Sequence, residues 1–293
     1  MEQHEIQSYK KAGTIASQIK QYVREIVKKD MLLIEIANKI DEKIKELGGK
    51  PAFPVNLSVN EIAAHYTPGL NDDKKAEGLL KIDIGVEVEG YIADTAFSLD
   101  LTEDKKHEEM IKTNETILQE TLQELTTGSK ISDIGKLIQE KLAGRYAIVK
   151  NLSGHQLDKN IIHAGVNIPN YENNNETPIK DKALAIEPFL TTGQGEVYEG
   201  PKSEIYRLER HGPIRDKDAR RLLVYIKEKY NTKPFCKRWL EKHGFDKLDF
   251  SLNQLVKAGI LHNYSVLIEK SKQPVSQAEQ TIIITDKVEV TTR

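Results

Sequence analysis

A stretch of the first third of this chain recurs, altered, in its middle, and that repeat limits the possible folds more than any single motif. LIEIANKIDEKIKELGG (33–49) parallels KISDIGKLIQEKLAG (130–144). Asn56-Leu57-Ser58 parallels Asn151-Leu152-Ser153, and His65 lines up with His163. LLKID, ending at Asp83, lines up with ALAIE, ending at Glu187. Helical periodicity does not explain the Asn-Leu-Ser and histidine matches. A duplication of this size implies two helix-helix-strand units about a pseudo-two-fold axis. Such an axis brings Asp83 and Glu187 together from distant parts of the chain.

The periodic segments fit that scheme. Ile15, Ile19, Val23 and Ile26 predict a helix within 5–29, and Leu33, Ile36, Ala37, Ile40, Ile44 and Leu47 a second, closed by Gly48-Gly49. In the second unit, Met110, Ile117, Leu118, Leu122 and Leu125 predict a helix over 107–125. Ser132 is the expected cap of the next, with Ile134, Leu137, Ile138 and Leu142 on one side and Gly144 at its end. YENNNETP (171–178) reads as a surface loop.

Between the units lies KIDIGVEVEGYIADTAFSLDL (81–101), a β-hairpin turning at Glu89-Gly90. Asp83 and Asp94 stand in its arms where a buried strand favours valine. With an even loop their parity places both carboxylates on one face, where they repel unless a positive group lies between them. Glu187 and Glu279 occupy similar apolar contexts, and His155 follows Gly154 in NLSGHQL. Four carboxylates and one imidazole suit hard-to-borderline divalent cations and are too oxygen-rich for a structural zinc. One ion would be over-charged by this set; two, sharing carboxylates, neutralise it.

Residues 207–272 break the pattern. They hold sixteen Lys/Arg against eight Asp/Glu, a charge of +8 within a chain of net −2. Their helical stripes (Ala219, Leu222, Leu223, Ile226; Phe235, Trp239, Leu240; Leu252, Leu255, Val256, Ile260) have no partner in the first half. SLNQLVKAGILHNYSV resembles the last helix and first wing strand of a winged helix. The expected partition is a main part over 1–206, an inserted helical subdomain over 207–272, and closing strands over 273–293. The single cysteine, Cys236, permits no internal disulfide, and neither a signal peptide nor a membrane span is visible. A soluble cytoplasmic protein is expected, with a monomer as the default.

KIDIGVEVEGYIADTA, NLSGH, AIEPF and QAEQT resemble the ligand-bearing motifs of the dinuclear methionine aminopeptidases over nearly the whole chain. GGKPAFPVNLSVNEIAAHYTP, IIHAG, KPFCKRWL and the insertion resemble their type 2, archaeal-like branch. The resemblance implies the pita-bread α/β (α+β) fold and removal of the initiator methionine from nascent proteins, favouring small second residues. It implies Asp83 as a ligand of one metal, Asp94 and Glu279 as bridges, and His155 and Glu187 completing the second site. The cofactor would be two divalent ions, for which cobalt, manganese, iron and zinc are all suitable, acidifying a shared water. Glu187 matches the general base, His163 the histidine that polarises the scissile carbonyl, and His65 the one near the substrate's N-terminal end. Phe53, Ile162 and Tyr264 match walls of the methionine pocket. The family's Phe-Glu-His-Thr is here Ala278-Glu279-Gln280-Thr281, which predicts altered hydrogen bonding around the metals through Gln280. Alternatives are a proline dipeptidase, which usually has an extra N-terminal domain and lacks the insertion, and a non-enzymatic relative binding ribosome or nucleic acid. The basic insertion suggests ribosome contact; the alternative is a solvated basic face that only walls the pocket through Tyr264.

Overall fold

The computed structural model of the protein describes residues 1–142 and 144–293. The first unit comprises α1 (Gln3–Ile26), α2 (Leu33–Glu46), β1 (Lys50–Pro51), β2 (Asn56–Val59), β3 (Ile62–Ala64), β4 (Leu79–Val88) and β5 (Tyr91–Asp100). The second begins with α3 (Glu108–Glu124), α4 (Ile131–Lys141), β6 (Ala147–Ile148), β7 (Ser153–Leu157), β8 (Asn167–Pro169), β9 (Ala183–Ile186) and β10 (Phe189–Thr191). A long excursion follows: β11 (Val197–Leu208), α5 (Lys217–Lys229), β12 (Phe235–Cys236), α6 (Lys237–Glu241), α7 (Leu248–Lys257) and β13 (Leu261–Glu269). The chain closes with β14 (Val275–Gln277), β15 (Gln280–Ile284) and β16 (Val288–Val290). Among the described residues no helix is long and apolar enough to cross a membrane.

Local chemistry explains most boundaries. Gly48, at φ 83°, takes the left-handed position after α2, and the Gly49 N–H closes the helix on the Ile44 carbonyl at 3.0 Å. Ser132 is not the cap of α4. The helix starts at Ile131, two residues earlier than a Ser132 cap implies; the Lys130 N–H is held by Asp133 Oδ2 at 2.8 Å, and the Ile131 and Ser132 N–H groups donate to Thr177 and Asn175 carbonyls at 3.0 and 2.9 Å. The polar 171–178 loop therefore satisfies the donors that a serine was expected to serve. Phe235 sits in β12 and Ile260 follows the end of α7, so neither belongs to the helical stripe in which the sequence placed it.

Strand parity then sorts the side chains. In the hairpin, Glu89 and Gly90 both take positive φ (55° and 92°), a two-residue loop whose twist suits the strands. Leu80, Ile82, Ile84 and Val86 of β4, with Ala93 and Phe97 of β5, face α1 and α2 in one core. In the second unit Leu184, Ile186, Ile282 and Ile284 face α3 and α4 in another. The opposite, inner faces carry Asp83, Asp94, Glu187 and Glu279. This helices-outside, sheets-inside duplication is the pita-bread α+β arrangement.

The repeat is real but displaced from the sequence match. Asn56 lies opposite Asp83 itself, whereas His155 lies opposite Ala185, two positions before Glu187. The residue opposite Lys81, two before Asp83, is Ser58, so Ser58 is the first-unit counterpart of His155.

Helices α5–α7 and β12 bury Leu222, Ile226, Phe235, Leu240, Leu252 and Leu255 in an apolar cluster of their own, between the paired strands β11 and β13. Two buried ion pairs tie this cluster to the first unit. Arg238 Nη2 lies 3.1 Å from Asp41 Oδ2, which also accepts from Trp239 Nε1 at 2.7 Å, and Lys233 meets Glu87. Asp41 and Arg238 are 3% and 0% exposed, so removing one charge strands the other without water. Asp41→Asn is expected to lower unfolding free energy by about 3 kcal/mol in urea denaturation. Glu42→Gln, on the exposed face of the same helix, should change it by under about 0.5 kcal/mol. Equal losses from the two substitutions would show that the buried pair is not what ties α6 to α2.

Candidate metal centre

The two units meet where β5 runs beside the segment from Gln277 to Thr281. The Glu279 N–H donates to the Ala96 carbonyl at 2.9 Å, and the Thr95 hydroxyl donates to the Glu279 carbonyl at 2.8 Å. Thr281 Oγ1 accepts from the Asp94 N–H and donates to the Asp94 carbonyl, both at 2.8 Å. One residue further out, the Ser98 hydroxyl and the Gln277 backbone exchange two bonds of 2.9 Å. This seam sets Asp94 and Glu279 side by side. Within the hairpin Asp94 faces Gly85 and Asp83 faces Ala96, so the two aspartates are diagonal neighbours on one face.

His155, on β7, completes the cluster. Its Nε2 is 3.7 Å from Asp94 Oδ2 and 3.6 Å from Glu187 Oε1. Asp94, His155 and Glu279 each present a ligand atom within 4.8 Å of the others. Gln277 Nε2 donates to Glu187 Oε2 at 3.3 Å.

The electrostatics are those of crowded, buried carboxylates. Burial pushes Asp83 up to about 7. Burial, with the neighbouring carboxylates next, pushes Asp94, Glu187 and Glu279 well above the usual carboxylate range. Burial pulls His155 down to about 3, and the approach of His163 adds to that. Among the described residues no lysine or arginine forms an ion pair with these carboxylates. Asp83 Oδ1, Asp94 Oδ1, His155 Nδ1 and Glu279 Oε2 are buried without a hydrogen-bond partner. Orphaned oxygens and a neutral imidazole around one point fit divalent metal ions.

All ten residues singled out from the sequence line one cavity of about 290 Å³: Phe53, His65, Asp83, Asp94, His155, Ile162, His163, Glu187, Tyr264 and Glu279. Gly85 makes room for this arrangement, because a Cβ there would lie 2.2 Å from the Phe53 ring. The His155 and His163 rings meet edge to face at 4.3 Å, and His65 and Tyr264 at 5.2 Å. His65, held at φ 65°, places Nδ1 3.2 Å from the Ser265 carbonyl. Burial lowers the pKa of both His65, to about 4, and His163, leaving neutral imidazoles at neutral pH.

Gln277 and Thr281 escaped the sequence reading, although their parity with Glu279 marks them as sharing its face. The expectation for Gln280 is corrected. It faces the helix layer, in a cleft with Gln119, Leu122 and Gln123, and its Oε1 makes no hydrogen bond. Ala278 packs in the second core. Strand alternation turns both replaced positions away from the carboxylates.

A buried cluster of carboxylates and a histidine on a duplicated α+β fold is the architecture of a metallohydrolase. The family profile of metallopeptidase family M24 matches residues 7–218. The methionine aminopeptidase of Methanocaldococcus jannaschii is 40% identical over 99% of this chain and 100% of its own. In structure, a thermophilic Arx1 superposes with a TM-score of 0.84 at 17% identity, over 99% of this chain and 91% of that one. The methionine aminopeptidase of Thermotoga maritima superposes with 0.69 at 20% identity, over 100% and 98%. The chain belongs to metallopeptidase family M24, on the methionine aminopeptidase branch of that family.

The metal-free protein should show the strain of its carboxylates. A carboxyl whose pKa is raised by folding stabilises the fold at low pH and ceases to do so as pH rises through the folded value. The melting temperature of metal-stripped protein should therefore fall between pH 4 and pH 7, the window set by Asp83. Mn²⁺ or Co²⁺ should restore it, more at pH 7 than at pH 5, where protons compete for the same oxygens. A melting temperature indifferent to added metal at pH 7 would contradict the assignment.

Proposed function

We propose that this chain is a metal-dependent methionine aminopeptidase that removes the initiator methionine from nascent proteins in the cytoplasm. The observation that carries the reading is the buried, uncompensated carboxylate cluster at the floor of a cavity with apolar walls. Asp83, Asp94, His155, Glu187 and Glu279 would hold two divalent ions, with Asp94 and Glu279 shared. Cobalt, manganese, iron and zinc all suit such donors. Bound ions supply an acidic water and an anchor for a free N-terminal amine, which restricts cleavage to the chain end.

The chain's own residues do the rest. Phe53, Ile162 and Tyr264 receive the methionine side chain. Glu187 takes the proton of the attacking water and passes it to the leaving amine, and Gln277 orients its carboxylate. His163, neutral, donates an N–H to the developing oxyanion, and His65 lies toward the substrate's N-terminal end. The proline dipeptidase and non-enzymatic readings are not favoured by the full-length similarity to methionine aminopeptidases.

The test is methionine release from Met-Gly and Met-Ala peptides against Met-Lys and Met-Arg peptides with metal supplied. The first pair should be cleaved well and the second poorly. Glu187→Gln should abolish turnover while the fold survives. His163→Ala should slow it by roughly 10²–10³ with metal content unchanged, as for a lost oxyanion donor. Metal loss from His163→Ala would instead make His163 a ligand and overturn the five-residue set.

The +8 insertion is proposed as the surface that meets ribosomal RNA, bringing the enzyme to nascent chains. Arg215, Lys217, Arg220 and Arg221 are exposed there, and the Arg220 guanidinium also donates to the Ile214 and Arg215 carbonyls at 3.3 and 3.0 Å. Ribosome co-sedimentation should fall steeply with salt and with neutralisation of these four residues. Sedimentation that ignores both changes would remove the proposal.

A further inference from the structure

A second cavity, of about 290 Å³, opens where α2 and β1 of the first unit meet the helical excursion. It shares Pro234 alone with the metal cavity, and none of the proposed metal-binding residues lines it. Its floor is apolar. Pro51, Ala52 and Pro234 contribute, with Tyr230 and Trp239, whose rings stack at 5.9 Å. Trp239 Nε1 donates to Asp41 Oδ2 at 2.7 Å, which fixes the half-buried indole in place.

The rim is cationic. Lys45 comes from the last turn of α2, Lys50 from β1, Lys229 from the last turn of α5 and Lys242 from the end of α6. All four are exposed, and among the described residues none of them forms an ion pair. The two carboxylates of the cavity do not offset them. Asp41 and Glu87 are buried and already matched by Arg238 and Lys233. Lys50 stands opposite Glu87 across the β1–β4 ladder, so it adds its charge beside a pair that is already neutral. A lysine in the last turn complements its helix dipole, which accounts for Lys45 and Lys229 one at a time. It does not account for Lys50 on a strand, or for four elements from two distant parts of the chain converging on one cavity.

We propose that this cavity binds an oligophosphate, either the free anion or the tail of a nucleoside triphosphate. Lysine presents a point charge on a flexible stem, so four of them follow phosphate oxygens without the fixed fork an arginine would impose. The volume stands at the lower bound of small-ligand sites, about 300 Å³. The indole on its floor is a surface on which a base can stack. The site is independent of the aminopeptidase reading.

Trp239 is the single tryptophan of the chain, so its fluorescence reports on this cavity. The experiment titrates inorganic triphosphate, ATP and orthophosphate into the metal-loaded protein and into the same protein stripped with EDTA. Triphosphate should change the emission saturably in both, with orthophosphate weaker by about 10-fold because it reaches fewer of the lysines. Binding should weaken as salt rises from about 20 mM to about 300 mM, because the Debye length shortens. These arms need no variant to fold. The double substitution Lys50→Gln and Lys229→Gln should raise the triphosphate Kd by about 5-fold, the range for two exposed ion pairs. Lys39→Gln with Lys180→Gln removes the same charge from exposed positions outside the cavity and should leave the Kd unchanged. Tighter binding of ATP than of triphosphate would assign a nucleotide, and equal binding the free anion. No saturable change in the unmodified protein would overturn the proposal. So would binding seen only with metal loaded, which would place the anion at the carboxylate centre, or equal weakening in the two double variants.

Discussion

The contact on which this molecule depends is the seam between β5 and the segment entering β15. There two units, distant in sequence, are stitched by backbone pairs between Ala96 and Glu279 and by hydroxyls that replace missing ladder bonds. Thr281 serves the Asp94 peptide from both sides, and Ser98 does the same for Gln277. These bonds leave little freedom in how Asp94 and Glu279 approach one another. Each unit covers its outer face with a helix pair, so the inner faces have only each other to meet. The carboxylates are brought together by the same packing that builds the two cores.

That geometry would be unfavourable on its own. Carboxylates sharing a site without a counter-charge oppose ionisation, and burial opposes it further. The raised pKa values of Asp83, Asp94, Glu187 and Glu279 express this conflict. The fold accepts it because bulk stability comes from elsewhere, chiefly from the apolar layers under α1–α2 and α3–α4. Local rules fail at the site and hold around it, as is common where a structure binds an ion.

Much of this was legible from residues alone. Parity in the 81–101 hairpin placed Asp83 and Asp94 on one face, and the repeat paired Asp83 with Glu187. The misreadings have physical causes. The Asn-Leu-Ser match is displaced by two residues, because register is set by strand pairing and not by which triplets look alike. The cap of α4 comes from Asp133 and from carbonyls more than forty residues downstream, which no local rule sees. Gln280 was expected to alter the hydrogen bonding around the metals, although alternation from Glu279 already turned it away.

The two units are proposed to converge on two divalent ions held through shared Asp94 and Glu279. Anomalous diffraction from crystals grown with Mn²⁺ tests it most directly. Two peaks are expected in the cavity, each contacting both shared carboxylates, with Asp83 on one side and His155 and Glu187 on the other. No peak in that cavity, or an ion bound there without Asp94 and Glu279, would contradict it.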